Sequence, residues 1–424
     1  MKINTVTVIG ANGALGIGVA SIFASFGNAK VYMIARTLEK SNKAIEKVGD
    51  SVRAHSVCEN LEPKTYKDIK ECIERSDLII ETVVEDLNIK KKIHSEINKY
   101  KKSIAISSSV TSGISINELS KCYSKANKGN FFGIHFFNPP YNLQLCELIA
   151  SNDSNKMIER ELKGYLESNL YRKVIRVKDT PGFLANRIGF QFINKAMQYA
   201  EKYKDEGGID YIDNILGCFT GRNMPPLYTA NFVGLDVHKA IVDNIYLNTK
   251  DFANHTFKLP DFVNELINDG RLGEKSKEGL YKDNNDFVWD IADNKYRRVN
   301  FYKINFIDAV IENLKIGDYR NAINIILKDK SKEANICRDM LIDYILYSYE
   351  IVKKVGYNLL DCDTAMAEGF NWIPPFSLLN LIEKNNFKKE AIIKYKDCKK
   401  IIEEICNNDI ISKYRYEKFL KAKR

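Results

Sequence analysis

Through the first 180 residues, short apolar runs alternate with stretches in which apolar residues recur every three or four positions. The runs predict strands over 5–9, 30–35, 78–83, 103–106, 131–137 and 173–177. Between two of them, Ile89, Ile93 and Ile97 fall at i, i+4 and i+8, one face of a helix over 87–100. Such alternation predicts a parallel sheet with helices on both faces. Beyond Asp179-Thr180-Pro181-Gly182 the strand signals fade, and long helical patterns run from Asn186 onward. A polar, turn-rich stretch at 282–298 predicts an inter-domain connection or an exposed hairpin, after which helices resume.

The two helical stretches read as copies. Arg187 … Ile209-Asp210-Tyr211-Ile212-Asp213 … Met224-Pro225-Pro226-Leu227 is matched by Arg338 … Leu360-Asp361-Cys362-Asp363 … Ile373-Pro374-Pro375-Phe376 at nearly equal distances. A duplicated helical unit predicts three domains: 1–180, 181–300, and 301–424 as a degenerate repeat of the second. The second copy carries Cys337 where the first has Asn186, so it reads as packing material rather than a second site.

Composition narrows the class. The 424 residues allow two or three domains. With 45% hydrophobic and 28% charged residues, the chain is ordinary for a globular protein, not a disordered or fibrous one. No apolar run reaches the roughly 18 residues that a membrane helix needs. Met1 to Thr5 lead straight into a strand, which leaves no room for a signal peptide. Lys and Arg outnumber Asp and Glu by 64 to 55, a net charge of +9 that favours anionic ligands. The densest basic stretch, Lys413 to Arg424, also reads as a solvated helix end, and no motif makes nucleic acid an expected partner. Nine scattered cysteines without a Cys-x-x-Cys pair predict neither a disulfide framework nor a metal site, and a reducing cytoplasm is the expected compartment.

The first strand runs into Gly10-Ala11-Asn12-Gly13-Ala14-Leu15-Gly16 and then a helix. Glycines there allow a tight turn and let a pyrophosphate approach the helix N-terminus, which makes Gly10, Gly13 and Gly16 candidate dinucleotide contacts. The spacing is one residue longer than Gly-x-Gly-x-x-Gly. The second strand ends in Ala35-Arg36-Thr37, where an NAD site carries an acid for the ribose. A guanidinium suits a 2′-phosphate instead, so NAD and NADP both stay open and Arg36 leans toward NADP. Capping the sheet edge or stacking on adenine is the plainer role for Arg36.

Four later blocks carry chemistry: Val110-Thr111-Ser112-Gly113; Gly133-Ile134-His135-Phe136-Phe137-Asn138-Pro139-Pro140; Leu145-Cys146-Glu147-Leu148; and Asp179-Thr180-Pro181-Gly182-Phe183-Leu184-Ala185-Asn186-Arg187. Oxidising a secondary alcohol needs a base for the hydroxyl proton while hydride leaves the carbon, and histidine suits that task near neutrality. His135 falls at a predicted strand end, where open α/β sheets bind ligands. Glu147, twelve residues on, suits the other ring nitrogen and would fix its tautomer. Ser112 and Asn186 can hydrogen-bond the substrate oxygen as charge develops on it. Plainer roles stand beside these: a core histidine, an exposed edge carboxylate, and helix caps at Ser112 and Asn186.

Together with Glu81-Thr82-Val83-Val84-Glu85 … Lys90, Val233-Gly234-Leu235-Asp236 and Leu272-Gly273 … Gly279-Leu280-Tyr281, these blocks resemble the 3-hydroxyacyl-CoA dehydrogenase family over nearly the whole chain. The nearest subgroup is the dehydrogenase half of bifunctional β-oxidation proteins. The resemblance implies an α/β Rossmann-type N-terminal domain followed by two all-helical C-terminal-type domains. It implies reversible hydride transfer between C3 of a 3-hydroxyacyl-CoA and a nicotinamide cofactor in fatty-acid metabolism, with His135, Glu147, Ser112 and Asn186 as the catalytic set. It also places Glu85, Lys90 and Asn138 along the nicotinamide side and the acyl-CoA between the sheet edge and the first helical domain. Lys40 and Lys43 are candidate contacts of the CoA phosphates. The fused hydratase half of that subgroup is absent, which leaves room for a separate enoyl-CoA hydratase as partner, and for a homodimer.

Three departures touch the cofactor: Val110 in place of the family's Asn, the longer glycine turn, and the missing acid after the second strand. Two rival readings stay open, a dehydrogenase of a free hydroxy acid and a non-catalytic dinucleotide-binding subunit.

Overall fold

The structure, a computed structural model, describes residues 1–423; Arg424, the last of the C-terminal basic residues, lies outside the described residues. The chain falls into two compact units, one of residues 1–183 with 355–357, the other of residues 184–354 and those from 358 onward.

The first unit holds strands β1 (Thr5–Ile9), β2 (Lys30–Ala35), β3 (Leu61–Thr65), β4 (Leu78–Glu81), β5 (Ile106–Ser109), β6 (Phe131–Phe136), β7 (Leu145–Ala150) and β8 (Lys173–Val177). They form one sheet in the order β3-β2-β1-β4-β5-β6-β7-β8. Helices α1 (Ala14–Ser25), α2 (Leu38–Val52), α3 (Ile69–Arg75) and α4 (Leu87–Tyr100) connect the first five strands, which pair in parallel. The central strands are buried on both faces, with Val6, Val8, Leu78 and Ile80 inaccessible and Thr7 hydrogen-bonded to Ser76, which is why they read as short, mostly apolar runs. Strand order reverses direction between β1 and β4, and ligands of such sheets bind in the crevice at that switch.

The expected all-parallel sheet is corrected at its far side. β6 still runs parallel to β5, but β7 pairs antiparallel with β6, because the loop 137–144 is too short for a crossover helix. β8 then runs parallel to β7. β3 and β7 lie outside the runs that predicted strands, and the strand expected at 103–106 forms at Ile106–Ser109 instead.

The second unit takes in the helix Ala185–Lys202 and all but the last residue of Lys332–Val355, which head the two stretches paired in the sequence. One local device occurs in each. Asp213 accepts the Leu227 N–H and Asp363 accepts the Phe376 N–H, both at 2.8 Å, at the start of the helices opened by Pro226 and Pro375. The region is not all-helical, however. Strands β9 (Tyr281–Lys282), β10 (Phe287–Asp290) and β11 (Lys295–Arg298) build a small antiparallel sheet from the turn-rich stretch. Its turns use Asp283, Asn284, Asn285 and Asn294 at positive φ, a conformation that Asp and Asn tolerate. No helix among the described residues is long and apolar enough to cross a membrane.

Candidate active site

His135 is the penultimate residue of β6, and it pairs directly with Glu147 in the β6–β7 register. Both side chains are buried, with His135 Nδ1 2.6 Å from Glu147 Oε2. Glu147 is therefore an interior carboxylate, not an exposed edge charge. With Nδ1–H donating to that carboxylate, Nε2 keeps its lone pair and accepts from the Ser112 hydroxyl at 3.2 Å. The rings of Phe137 and Phe183 flank the imidazole, their centroids 4.6 and 5.6 Å away.

Ser112 does not cap the following helix. Ser115 does, its hydroxyl accepting from Glu118 N–H ahead of Ile116–Ser120. The Asp179 carboxylate accepts from Ser115 Oγ at 2.7 Å, Ile116 N at 3.0 Å and Asn117 N at 2.8 Å. The Asp-Thr-Pro-Gly block thus ties the chain after β8 to the segment that follows Ser112. From the other side, Glu85 accepts from Ser112 N–H at 2.9 Å and from the Thr111 hydroxyl.

Lys90, expected beside the nicotinamide, has no accessible surface in its side chain. Its Nζ donates to both Glu81 oxygens, at 2.8 and 3.1 Å, and to the Val110 carbonyl at 2.9 Å, with Glu85 at 3.6 Å. Glu81, equally buried at the end of β4, also accepts from Ser109 Oγ at 2.7 Å and His94 Nε2 at 3.2 Å. Burial alone would raise the Glu81 carboxyl, but the bond from His94 and the nearby Lys90 outweigh it and hold it below the usual range. Burial wins at His94 and pushes its imidazole down toward the neutral form. Lys90 is therefore a buried clamp joining the strand ends of β4 and β5 beneath Glu85 and Ser112.

The glycine turn divides its labour. Gly10 has φ +86° and donates its N–H to the Ile34 carbonyl at 3.0 Å. A Cβ on Gly16 would sit 2.7 Å from the Gly10 carbonyl oxygen, so the packing of α1 on β1 excludes any other residue there. A Cβ on Gly13 would meet nothing closer than 3.7 Å. The fold does not require that glycine, but a ligand approaching the backbone would. Gly10 and Gly13 line a groove of about 470 Å³ that extends to Arg36 and Lys40 and is walled by Thr82 and Val83. These residues fit a dinucleotide: an open cradle at a helix start, apolar walls, and cations at one end. Asn138 is exposed just beyond β6, and Asn186 is buried on the first turn of Ala185–Lys202 in the second unit.

Three residues of the site lay outside the sequence-based candidates: Asp179, Glu81 and Phe183. Asp179 and Phe183 sat inside a recognised block without a role. For Glu81 the signal is an acid closing the apolar run Leu78-Ile79-Ile80, nine residues before a lysine. No group of three or more His, Cys, Asp or Glu among the described residues could hold a metal ion.

A doubly wound sheet with a glycine-lined groove at its switch point defines a Rossmann-type dinucleotide-binding protein. The 3-hydroxyacyl-CoA dehydrogenase NAD-binding domain matches residues 5–180, and the C-terminal domain of the same family matches residues 182–283. The chain belongs to the 3-hydroxyacyl-CoA dehydrogenase family. A probable 3-hydroxyacyl-CoA dehydrogenase of Deinococcus radiodurans is 31% identical over 306 residues, covering 68% of this chain and 84% of that one. A protein of the same description from Bacillus subtilis is 29% identical over 323 residues, 76% of this chain. The chain spans only 40% of that relative's length. The structure of a 3-hydroxybutyryl-CoA dehydrogenase from Escherichia coli K12 shares the fold over 96% of this chain and 98% of that one, with a TM-score of 0.71 at 19% identity.

Proposed function

We propose that the protein is a 3-hydroxyacyl-CoA dehydrogenase of fatty-acid β-oxidation, interconverting a 3-hydroxyacyl-CoA and a 3-ketoacyl-CoA. The observation that carries this reading is the Glu147–His135–Ser112 line, with Glu147 and His135 buried and Ser112 half-buried, in the same unit as a groove that fits a dinucleotide. The bound nicotinamide, of NAD or NADP, supplies the hydride acceptor. His135 Nε2 takes the proton from the C3 hydroxyl, and Glu147 stabilises the imidazolium so formed and keeps the ring in the useful tautomer. The Ser112 hydroxyl turns from Nε2 to the substrate oxygen, and Asn186 is assigned to the same oxygen by family resemblance. Glu85 holds the Ser112 backbone, while Phe137 and Phe183 keep water from the imidazole. Lys90 acts through Glu81 and Glu85 rather than by touching the cofactor, and Asn138 remains the candidate nicotinamide contact. The second helical copy serves as packing. The reading also takes in a cytoplasmic location, a homodimer and a separate enoyl-CoA hydratase as partner.

The test is the initial rate of reduction of acetoacetyl-CoA against that of free acetoacetate, each with NADH and with NADPH. Turnover of the thioester at far greater kcat/KM is expected. Preference for the free acid would favour a hydroxy-acid dehydrogenase, and no turnover of short or long thioesters would favour a non-catalytic subunit.

A further inference from the structure

In a parallel α/β sheet of this kind, the residue that follows β2 meets the adenosine ribose of the dinucleotide. An acid there accepts hydrogen bonds from the two ribose hydroxyls and repels a phosphate on either. Here that residue is Arg36, directly after Ala35. It is exposed and makes no ion pair among the described residues. One turn farther, Lys40 on α2 is likewise exposed, and its side chain is in no ion pair among the described residues.

Both cations line the groove that starts at Gly10 and Gly13, so they share one open space with the dinucleotide cradle. Among the described residues, no Asp or Glu lines that groove. The acid nearest in sequence, Glu39, is bound to Lys43 at 2.6 Å on the exposed side of α2. Of the two lysines, Lys43 is paired with Glu39 and does not line the groove, whereas Lys40 does. Tyr66 lines the groove as well, close enough to Arg36 for the guanidinium charge to act on its phenol.

We infer that Arg36 and Lys40 form the seat of a ribose 2′-phosphate, and that the protein prefers NADP(H) to NAD(H). The inference depends on the proposed function only in requiring that a dinucleotide binds. Arg36 offers a planar fork of donors to two phosphate oxygens, and Lys40 adds a point charge. With NAD the same pair faces a neutral hydroxyl, and the groove offers the ribose no carboxylate acceptor. Lys40 is thereby reassigned from the CoA phosphates to the dinucleotide. CoA also carries a phosphorylated ribose, at its 3′ position, so the experiment must separate the two sources.

The experiment is calorimetric titration of the full chain with 2′-phospho-ADP-ribose, ADP-ribose and CoA, none of which can turn over. 2′-Phospho-ADP-ribose is expected to bind at least about tenfold tighter than ADP-ribose, with the advantage shrinking as salt is raised. Arg36→Leu should abolish the advantage and Lys40→Met should reduce it, while both leave ADP-ribose and CoA affinities near those of the parent. Equal or tighter binding of ADP-ribose overturns the inference and leaves the dehydrogenase reading intact. Loss of CoA affinity in Arg36→Leu with the 2′-phosphate advantage retained overturns it too, and assigns the cations to the thioester. Binding of neither ADP-ribose form defeats both the inference and the dinucleotide reading on which it stands.

Discussion

His135 and Glu147 occupy opposed positions of an antiparallel strand pair, with Nδ1 and Oε2 2.6 Å apart inside the sheet. Side chains at opposed positions of such a pair project to the same face and touch. The twelve-residue spacing in sequence is therefore a hairpin measure: out along β6, around the loop 137–144, and back along β7. A rigid sheet, not a mobile loop, fixes the orientation of the imidazole.

Glu147→Gln keeps the shape of that contact and removes the charge that stabilises an imidazolium. We expect kcat for acetoacetyl-CoA reduction to fall at least about a hundredfold, with KM little changed. A rate within a few fold of wild type would show that the carboxylate is structural only.

Lys90→Met leaves Glu81 as a buried carboxylate with its main cation gone. The expected loss in urea unfolding is about 3–5 kcal/mol, part of which Glu81→Gln on the same chain should restore. A change below about 1 kcal/mol would mean that the clamp is dispensable.

The two glycines should separate fold from binding. Gly16→Ala forces a Cβ against the Gly10 carbonyl and is expected to cost about 1–3 kcal/mol of stability. Gly13→Val should change stability by no more than about 0.5 kcal/mol, yet weaken dinucleotide binding at least about tenfold. Unchanged affinity in Gly13→Val, by titration of cofactor fluorescence, would remove the groove from the site.

His238 gives the acid limb of stability its sign. Burial pushes its imidazole down to about 3; Nε2 contacts Asn194 Oδ1 at 3.0 Å, and Nδ1 has no partner among the described residues. The unfolded chain takes up that proton near pH 6.5 and the folded chain does not. Its contribution is thus complete above pH 6.5 and is lost as pH falls toward 3, by about 1.4 kcal/mol per pH unit. His94, also depressed by burial, adds in the same direction. Melting temperature against pH should decline less steeply below 6.5 in His238→Gln than in the parent; parallel curves would contradict this.

What the sequence disclosed follows from burial. β1 and β2 are legible because parallel strands covered on both faces are mostly apolar, with Thr7 the one polar residue inside β1. β5 is displaced in the sequence reading because its residues after Ile106 are Ser107, Ser108 and Ser109, hydroxyls inside the sheet, one of which serves Glu81. β3, Leu-Glu-Pro-Lys-Thr, lies at the sheet edge, where Pro and half-exposed polar residues are tolerated. β7 is masked by Glu147, whose charge interrupts the apolar run. His135, Glu147 and Ser112 stand out through their motif context. The Asp179 and Glu81 networks do not, since the Asp179 bonds join residues 62 to 64 positions apart and leave no local periodicity.

The most direct measurement compares wild type and His135→Ala in acetoacetyl-CoA reduction, with dinucleotide affinity titrated in both. We expect clear turnover by wild type, a loss of at least about a thousandfold in the variant, and dinucleotide affinities within a few fold of each other. Equal turnover by the two proteins, or none by wild type with either cofactor and any 3-ketoacyl chain length, would contradict His135 as the acid–base of a 3-hydroxyacyl-CoA dehydrogenase.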